Sequence, residues 1–285
     1  MHKILSSTPL APGVREYLVS APAVARTAAA GQFVVVRLHE AGERIPLTIV
    51  ESDPSAGTIV LIVQDVGKTT HEMDAIGRCG GALLDVAGPL GNPTEIDRYG
   101  TVVCVGGGLG IAPLFPIVKE LASAGNRTIG ILGARSQDHL FYVDRFQEVL
   151  DETIITTDDG SLGLKGFTSD ALLDVLQSQD RIDRVWVIGP PIMMKACAET
   201  TRPFGVKTLA SLNPLMLDGT GMCGGCRVEV GGQVRFACVD GPEFDAHLVD
   251  FDRLISRLRY YRDEETASLK RFCSGSALTG GADTR

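Results

Sequence analysis

The sequence of 285 residues predicts an antiparallel β barrel, then a parallel α/β domain, then a small segment with three cysteines. Strand-like runs separated by Pro, Gly and Ser turns fill about the first 97 residues. From residue 99 onward, strand-like and helix-like runs alternate, as in a parallel sheet. The cysteines follow the last of these runs in a glycine-rich context.

The predicted barrel covers residues 1–98. Its strand-like runs are residues 14–19, 32–38, 58–63 and 82–87. Runs of this length, joined by short turns, fit a small barrel, for which we expect Greek-key connections.

The α/β domain is predicted for residues 99–213. Its strands are expected at residues 101–105, 128–132, 153–157, 184–188 and 207–212, and its helices at residues 114–124, 138–150, 168–177 and 192–201. Because a helix follows each of the first four strands, we expect a Rossmann-like parallel sheet.

Residues 214–250 form the predicted cysteine segment, and residues 251–285 the C-terminal part. We expect a helix at residues 250–265, with Leu254, Leu258 and Tyr261 on one face, and a disordered tail from residue 274. The apolar face of this helix either packs on the chain's own sheet or forms a docking face for a partner.

Composition excludes several classes of function. The net charge of −8 and the pI of about 5.2 argue against nucleic acid or an anionic membrane surface as partner. The most apolar run, residues 58–63, is too short to cross a bilayer, and the N-terminus lacks the apolar core of a signal peptide. Seven cysteines, an odd number, suit a reducing compartment, so we expect a cytoplasmic protein.

The cysteine segment has the spacing D-x4-C-x2-C-x11-C, formed by Asp218, Cys223, Cys226 and Cys238. The plant-type [2Fe–2S] loop has the spacing C-x4-C-x2-C and a distant fourth Cys, so an aspartate takes the place of the first thiolate. Glycines flank these positions and let the backbone wrap closely around a cluster. The pattern predicts a [2Fe–2S] site; structural zinc or three buried cysteines in a hairpin are the alternatives.

A second motif contains Arg44, Pro46, Leu47 and Thr48, which we place at the end of a barrel strand. The guanidinium of Arg44 can donate two hydrogen bonds to a pyrophosphate. The rigid backbone at Pro46 and Leu47 can face the edge of a flavin, and the hydroxyl of Thr48 can lie beside it. These residues therefore predict an FAD site. An edge strand with a surface arginine is the alternative interpretation.

Downstream, Gly67, Lys68, Thr69 and Thr70 open a helix, and Val63 ends the strand before them. Backbone N–H groups and hydroxyls at a helix start can bind a phosphate, so we assign these residues to the same cofactor. A Walker A loop is excluded because position 62, where it needs a glycine, is isoleucine.

Two further motifs follow strands of the α/β domain. The first joins a strand to a helix and consists of Gly106, Gly107, Gly108, Gly110, Ile111, Ala112 and Pro113. Glycines at such a junction let a dinucleotide pyrophosphate approach the backbone. The second, Gly189, Pro190 and Met193, follows the fourth strand, where a nicotinamide would lie.

Arg135 and Asp159 follow the second and third strands of this domain. Arg135 is placed to meet a 2′-phosphate and Asp159 to approach a ribose, although both also fit solvated surface positions. We predict NAD(H) as the nucleotide.

In this order, the motifs R-x-P-L-T, G-P-L-G, G-G-G-x-G-I-A-P and G-P-x-x-M resemble the ferredoxin–NADP reductase superfamily. With the cysteine loop, residues 1 to about 265 resemble two related families of electron-transfer subunits. One serves dihydroorotate dehydrogenase; the other is the alpha subunit of NADH-dependent reduced ferredoxin:NADP oxidoreductase, also called sulfide dehydrogenase. The dihydroorotate type usually has cysteines where Ile188 and Asp218 stand, so the sequence favours the second family.

The resemblance implies FAD, one [2Fe–2S] cluster and NAD(H) as cofactors. It also implies a heterodimer with a larger, glutamate-synthase-like subunit that carries a flavin and [4Fe–4S] clusters and bifurcates electrons. No side chain is expected to act as a general acid or base. The alternatives are a subunit of dihydroorotate or sulfide dehydrogenase, or a non-catalytic regulatory module that binds nucleotide or zinc.

Overall fold

A computed structural model describes residues 1–279 of the chain. The first sheet contains β1 (His2–Ala11), β2 (Val14–Ser20), β3 (Phe33–Arg37), β4 (Arg44–Asp53), β5 (Thr58–Gln64), β6 (Ala82–Leu83) and β7 (Asp85–Leu90). Two helices, α1 (Pro22–Ala25) and α2 (Lys68–Arg78), accompany it. All neighbours are antiparallel in the order β6-β1-β2-β5-β4-β3-β7, which forms a nearly closed barrel.

Strand β1 and the position of the arginine motif differ from the sequence prediction. Only Ile4 of β1 is buried, and the rest of the strand is mostly polar, so it lacks the alternation that reveals a strand. Arg44 stands at the start of β4, not at the end of a strand. The single run predicted at residues 82–87 is divided between β6 and β7.

The second half of the chain holds β8 (Thr101–Gly107), β9 (Arg127–Ala134), β10 (Glu152–Thr157), β11 (Leu164–Lys165), β12 (Arg184–Ile188), β13 (Lys207–Ser211), β14 (Arg227–Val230), β15 (Gln233–Phe236) and β16 (Glu243–Asp245). Its helices are α3 (Ile111–Ser123), α4 (Val143–Gln147), α5 (Thr168–Ser178) and α6 (Pro191–Thr201). Seven of these strands form one sheet in the order β11-β10-β9-β8-β12-β13-β16, parallel except for β16. The strand order reverses between β8 and β12, because the chain runs outwards from β8 to β9 and β10 and then returns to place β12 on the other side of β8. Sheets of α/β proteins bind ligands at such a point.

The helix predicted at residues 138–150 is much shorter, because α4 covers only Val143–Gln147. Residues Gln137–His139 form a 3₁₀ turn, and Tyr142 has a left-handed backbone with φ of 63°. A left-handed residue cannot continue a right-handed helix, so the turn and the helix remain separate.

The C-terminal part also differs from the prediction. Two helices, α7 (Phe251–Leu258) and α8 (Arg262–Thr279), replace the single helix expected at residues 250–265. Asp250 caps α7 by accepting a hydrogen bond from the backbone N–H of Arg253 at 2.9 Å. Helix α8 extends to Thr279, into the tail for which disorder is predicted, and residues 280–285 lie outside the described chain.

The barrel and the parallel sheet share a core. Val14, Val50 and Ile62 of the barrel pack in one apolar cluster with residues of α3. At the edge of this contact, Arg145 pairs with Glu51 at 2.6 Å, and its guanidinium lies 4.4 Å from the ring centres of Phe115 and Tyr142. These contacts fix β4 against α3, and the predicted fold class is confirmed.

The cysteine segment packs on the opposite face of the sheet. Cys226 and Cys238 join the apolar cluster that contains Phe33 and Val35 of the barrel. Glu243 of β16 accepts hydrogen bonds from Thr94 Oγ1 at 2.5 Å and from Trp186 Nε1 at 3.3 Å, and burial raises the pKa of its carboxyl. Within residues 1–279, no helix is both long and apolar enough to span a membrane.

Candidate functional site

The first half of β4 presents two different faces. Ile45 and Leu47 pack towards the interior of the barrel. Because side chains alternate along a strand, Arg44, Pro46 and Thr48 lie on the outer face, and Arg44 is exposed there. Of the predicted flavin residues on this strand, three therefore share one face, and Leu47 can offer only its backbone to a ligand.

The outer face of β4 continues onto β3. Thr48 is paired with Phe33 and Pro46 with Val35, so these four residues share one face of the sheet. Phe33 and Val35 belong to the same apolar cluster as Cys226. The cysteine segment is thus packed beside the strand that carries the arginine motif.

The start of α2 lies close to the start of β4. Thr69 Oγ1 donates a hydrogen bond to Glu43 Oε2 at 2.8 Å, and Thr70 Oγ1 accepts from the N–H groups of Val66 and Gly67 at 3.0 Å. Both threonine hydroxyls therefore hold the turn in place. The first N–H groups of the helix and the half-buried Lys68 remain as donors for an anion.

Val63 is buried in the barrel core. Its side chain packs among other apolar residues, so only its backbone is placed to contact a ligand.

The glycines after β8 have two different roles. A Cβ on Gly107 would stand 2.1 Å from Met193 Sδ, and a Cβ on Gly110 would stand 2.2 Å from the carbonyl oxygen of Ile188. These glycines let the ends of β8 and β12 pack together. Gly108 differs: its φ is +55°, and a Cβ there would meet nothing within 4 Å, so its backbone faces open space.

The other residues of this motif mainly build the fold. Ile111 and Ala112 are buried at the start of α3, and Pro113 is half-buried. A Cβ on Gly106 would stand 3.0 Å from Leu114 Cδ2, so this glycine allows the helix to approach the strand. The helix start supplies N–H groups beside Gly108.

The end of β12 lies next to this loop. A Cβ on Gly189 would stand 2.6 Å from Met193 Cε and 3.1 Å from the carbonyl oxygen of Gly107. Pro190 is exposed and Met193 is half-buried. The structure thus brings together the two motifs that the sequence placed after separate strands.

Arg135 and Asp159 also lie side by side. The N–H of Asp159 donates to the carbonyl oxygen of Arg135 at 3.2 Å, and both side chains are exposed at the same edge of the sheet. Ser161 donates to Asp159 Oδ1 from its hydroxyl at 2.6 Å and from its N–H at 2.9 Å, which lowers the pKa of Asp159. An anionic Asp159 is suited to accept hydrogen bonds from hydroxyls.

The four predicted cluster ligands fall into two pairs. Cys226 and Cys238 are buried, and their sulfur atoms are 3.1 Å apart. Cys223 is exposed, and Asp218 is half-buried. The Asp218 carboxylate accepts hydrogen bonds from Thr220 Oγ1 at 2.7 Å and from the N–H groups of Thr220 and Met222 at 3.2 Å.

This arrangement fits a [2Fe–2S] cluster better than zinc. Zinc needs its ligands around one point, whereas a two-iron cluster takes two ligands on each iron. The loop also has the backbone that a cluster needs, because Gly219, Gly221 and Gly224 have φ of 81°, 84° and 67°.

The cysteine loop touches the barrel directly. A Cβ on Gly219 would stand 2.6 Å from Leu90 Cδ1 and 3.2 Å from Val35 Cγ2. Leu90 is on β7, two strands from β4, which corresponds to about 10 Å. The cysteine loop therefore lies close to the strands that flank the arginine motif.

Sequence reasoning missed two residues at the cysteine loop. Arg257 Nη2 donates to the carbonyl oxygen of Gly225 at 3.2 Å, and Arg227 Nη1 donates to that of Gly224 at 3.1 Å. No local motif signals such a contact, since it joins α7 to a loop about 30 residues earlier in the chain.

Comparisons with known proteins agree with this geometry. Residues 213–250 match the iron–sulfur cluster binding domain of dihydroorotate dehydrogenase B, and residues 104–199 match the oxidoreductase NAD-binding domain. A Thermotoga maritima protein named as a homolog of the dihydroorotate dehydrogenase B (NAD(+)) electron transfer subunit is 50% identical over 272 residues, which cover 95% of both chains. A probable electron transfer subunit of the same enzyme from Methanocaldococcus jannaschii is 36% identical over 70% of this chain and 75% of its own.

Solved structures show the same relationship. The structure of an NADH-dependent reduced ferredoxin-NADP oxidoreductase, studied for flavin-based electron bifurcation, superposes with a TM-score of 0.90. It is 49% identical and covers 96% of this chain and 98% of that one. Phthalate dioxygenase reductase, at 16% identity and a TM-score of 0.59 over 81% of this chain and 86% of its own, shares the fold.

These findings confirm the predicted fold and the predicted resemblance, and they support the cofactor set of FAD, a [2Fe–2S] cluster and NAD(H). The chain is an oxidoreductase subunit with an iron–sulfur binding domain and an NAD-binding domain, and it belongs to the family of dihydroorotate dehydrogenase B electron transfer subunits and their homologs.

Proposed function

We propose that this chain passes electrons between NAD(H), FAD and a [2Fe–2S] cluster, to or from a partner flavoprotein. The partner that the sequence resemblance implies is a larger, glutamate-synthase-like subunit with flavin and [4Fe–4S] clusters, and the similarity to a structure studied for flavin-based electron bifurcation supports it. The observation that carries the proposal is the convergence of three sites. The outer face of β4, the loop of Gly108 and the cysteine loop all border one region between barrel and sheet.

When bound, FAD exchanges a hydride with NADH and single electrons with the cluster. On the protein side, Arg44 would pair with the pyrophosphate, because a guanidinium matches two phosphate oxygens at once. Pro46 and Thr48 would line the flavin edge, and the N–H groups at the start of α2 would bind phosphate. Phe33 and Val35 exclude water on the side of the cysteine loop.

The loop between β8 and α3 would hold the pyrophosphate of NAD(H). Gly108 has no side chain to block the approach of a ligand to its backbone, and the N-terminal N–H groups of α3 can donate hydrogen bonds to a phosphate. Met193 packs on Gly107 and closes the gap to β12, which would support the nicotinamide. Arg135 and Asp159, adjacent at the edge of the sheet, would contact the ribose end.

For the cluster we propose Asp218 and Cys223 as one pair of ligands and Cys226 and Cys238 as the other. The close contact of the two buried sulfurs supports the second pair. A carboxylate is anionic like a thiolate, so Asp218 keeps the charge of the site. Thiolate ligands persist in a reducing compartment, which supports a cytoplasmic location.

The surface around the cysteine loop supports a partner on that side. Leu215 and Leu217 are 40% and 45% exposed, and Met222 is 88% exposed. Such apolar residues on a surface mark interaction sites. By contrast, Leu254 of the predicted docking helix is buried in the chain's own core, so that helix contributes less to the surface than expected.

We also propose three boundaries between the units, after residues 98, 213 and 250. Each lies in a segment between regular elements: between β7 and β8, between β13 and β14, and before α7.

The central test compares Gly108→Ala with Gly205→Ala. Both glycines have left-handed backbones, with φ of 55° and 62°, and open space beside them, so alanine costs each about 1–2 kcal/mol. We expect wild type to show flavin and cluster bands that NADH bleaches. Gly108→Ala should slow bleaching by roughly tenfold or more, since its methyl group meets the pyrophosphate. Gly205→Ala should bleach at the wild-type rate, and equal rates in both variants would contradict the assignment.

Arg44→Ala should weaken FAD binding by roughly ten- to hundredfold, because a charge-assisted hydrogen bond contributes about 1.5–3 kcal/mol. Arg26→Ala removes a charge from an exposed position elsewhere in the barrel and should leave the affinity unchanged. The measurement is flavin content after dialysis, followed by titration with FAD. Full flavin retention in Arg44→Ala would show that this arginine does not hold the pyrophosphate.

Asp218→Asn separates the two roles of this residue. The amide oxygen of asparagine can still accept the loop hydrogen bonds from the N–H groups of Thr220 and Met222, but the substitution removes the anionic ligand. We expect Asp218→Asn to lose iron or to change the electron paramagnetic resonance signal. Thr220→Ala should keep both the iron and the wild-type signal, and Asp218→Cys should keep the cluster. A wild-type signal in Asp218→Asn would leave Asp218 as a loop cap only.

Met222→Glu should weaken the complex with the partner flavoprotein by at least roughly tenfold, because it buries a charge in an apolar contact. The control Phe167→Glu changes an exposed residue, 64% accessible, beyond the opposite edge of the sheet. Both variants should keep their iron. The measurement is co-elution of the co-expressed subunits in size-exclusion chromatography. An intact complex with Met222→Glu would exclude the surface around Met222 as the binding site of the partner.

A further inference from the structure

Two arginines approach the turn that joins Cys223 to Cys226. Arg227 donates to the carbonyl oxygen of Gly224 at 3.1 Å, and Arg257 donates to that of Gly225 at 3.2 Å. The N–H of Gly225 in turn lies 3.4 Å from Cys223 Sγ. The two guanidinium groups thus hold the carbonyls of the turn outwards while one of its N–H groups points at a sulfur.

Their surroundings do not balance these charges. Within the described part of the chain, no carboxylate lies within 4.0 Å of either guanidinium, although Arg253 of the same helix pairs with Glu229. Arg257 is half-buried, and burial followed by the charge of Arg227 lowers its pKa. An arginine keeps its proton at neutral pH, so two like charges are held close together.

Like charges beside a turn of four residues are unfavourable unless an anion is near. The proposed ligands supply that anion, because a cluster with three thiolates and one carboxylate has a net negative charge. That charge grows by one when the cluster takes up an electron. A nearby cation therefore stabilises the reduced form more than the oxidised form, and the net charge around a cluster sets its potential.

We propose that Arg227 and Arg257 are positioning residues that fix the turn at residues 223–226 and make the cluster easier to reduce. The inference rests on the proposed cluster site and adds a role that depends on charge. It also separates Arg257 from Arg259, which is exposed at the end of the same helix.

The test compares Arg257→Gln, Arg257→Lys and Arg259→Gln in the full chain. Glutamine removes the charge and retains an N–H donor on a side chain two bonds shorter, whereas lysine keeps the charge and loses the planar guanidinium. Each variant is analysed for iron, and its cluster potential is measured by redox titration followed with electron paramagnetic resonance. The wild-type signal tests the cluster itself, independently of the arginines.

We expect Arg257→Gln to shift the potential to more negative values, further than Arg259→Gln does, with Arg257→Lys closer to wild type. Equal shifts in Arg257→Gln and Arg259→Gln would overturn the proposal while leaving the cluster assignment intact. If Arg257→Gln fails to hold iron, Arg227→Gln provides the same comparison, and a potential equal to that of Arg259→Gln would again overturn it. Absence of iron in wild type would instead refute the proposed function.

Discussion

The structure depends on the contact between the outer face of the barrel and the cysteine segment. Phe33 and Val35 lie opposite Thr48 and Pro46 on one face of the sheet, and they share an apolar core with Cys226 and Cys238. One apolar layer therefore separates the arginine motif from the buried cysteines. Electron transfer between the proposed flavin and the proposed cluster would require such proximity. Here the proximity results from ordinary burial of β-branched and aromatic side chains.

Much of this was predictable from local sequence. The spacing of the cysteines, the glycines after β8 and the alternation of strands and helices each indicate their structure within about 20 residues. Arg44, Pro46 and Thr48 share a face because strands alternate, which needs no knowledge of the rest of the fold. The failures are also local in origin: the polar β1 lacks alternation, and the left-handed Tyr142 shortens α4.

What could not be predicted involves contacts between distant parts of the chain. The packing of Met193 on Gly107 requires β8 and β12 to be neighbours, and that depends on the order of the strands. The contact of Arg257 with Gly225 requires α7 to return to the cysteine loop. Glu243 is a third case, since its carboxylate joins the linker at Thr94 to the sheet at Trp186. Spacing along the chain contains no information about these distances.

The two halves of the cysteine loop differ in their burial. Cys226 and Cys238 are buried against the barrel side, whereas Cys223 and Met222 are exposed. A cluster held by both pairs would have one iron near the proposed flavin site and the other near the surface. The exposed half carries the apolar side chains that a partner would cover, so the proposed cluster would connect the inside of the chain with its surface. The arginines contact the turn between the two halves, so their charge would act on both irons of the proposed cluster.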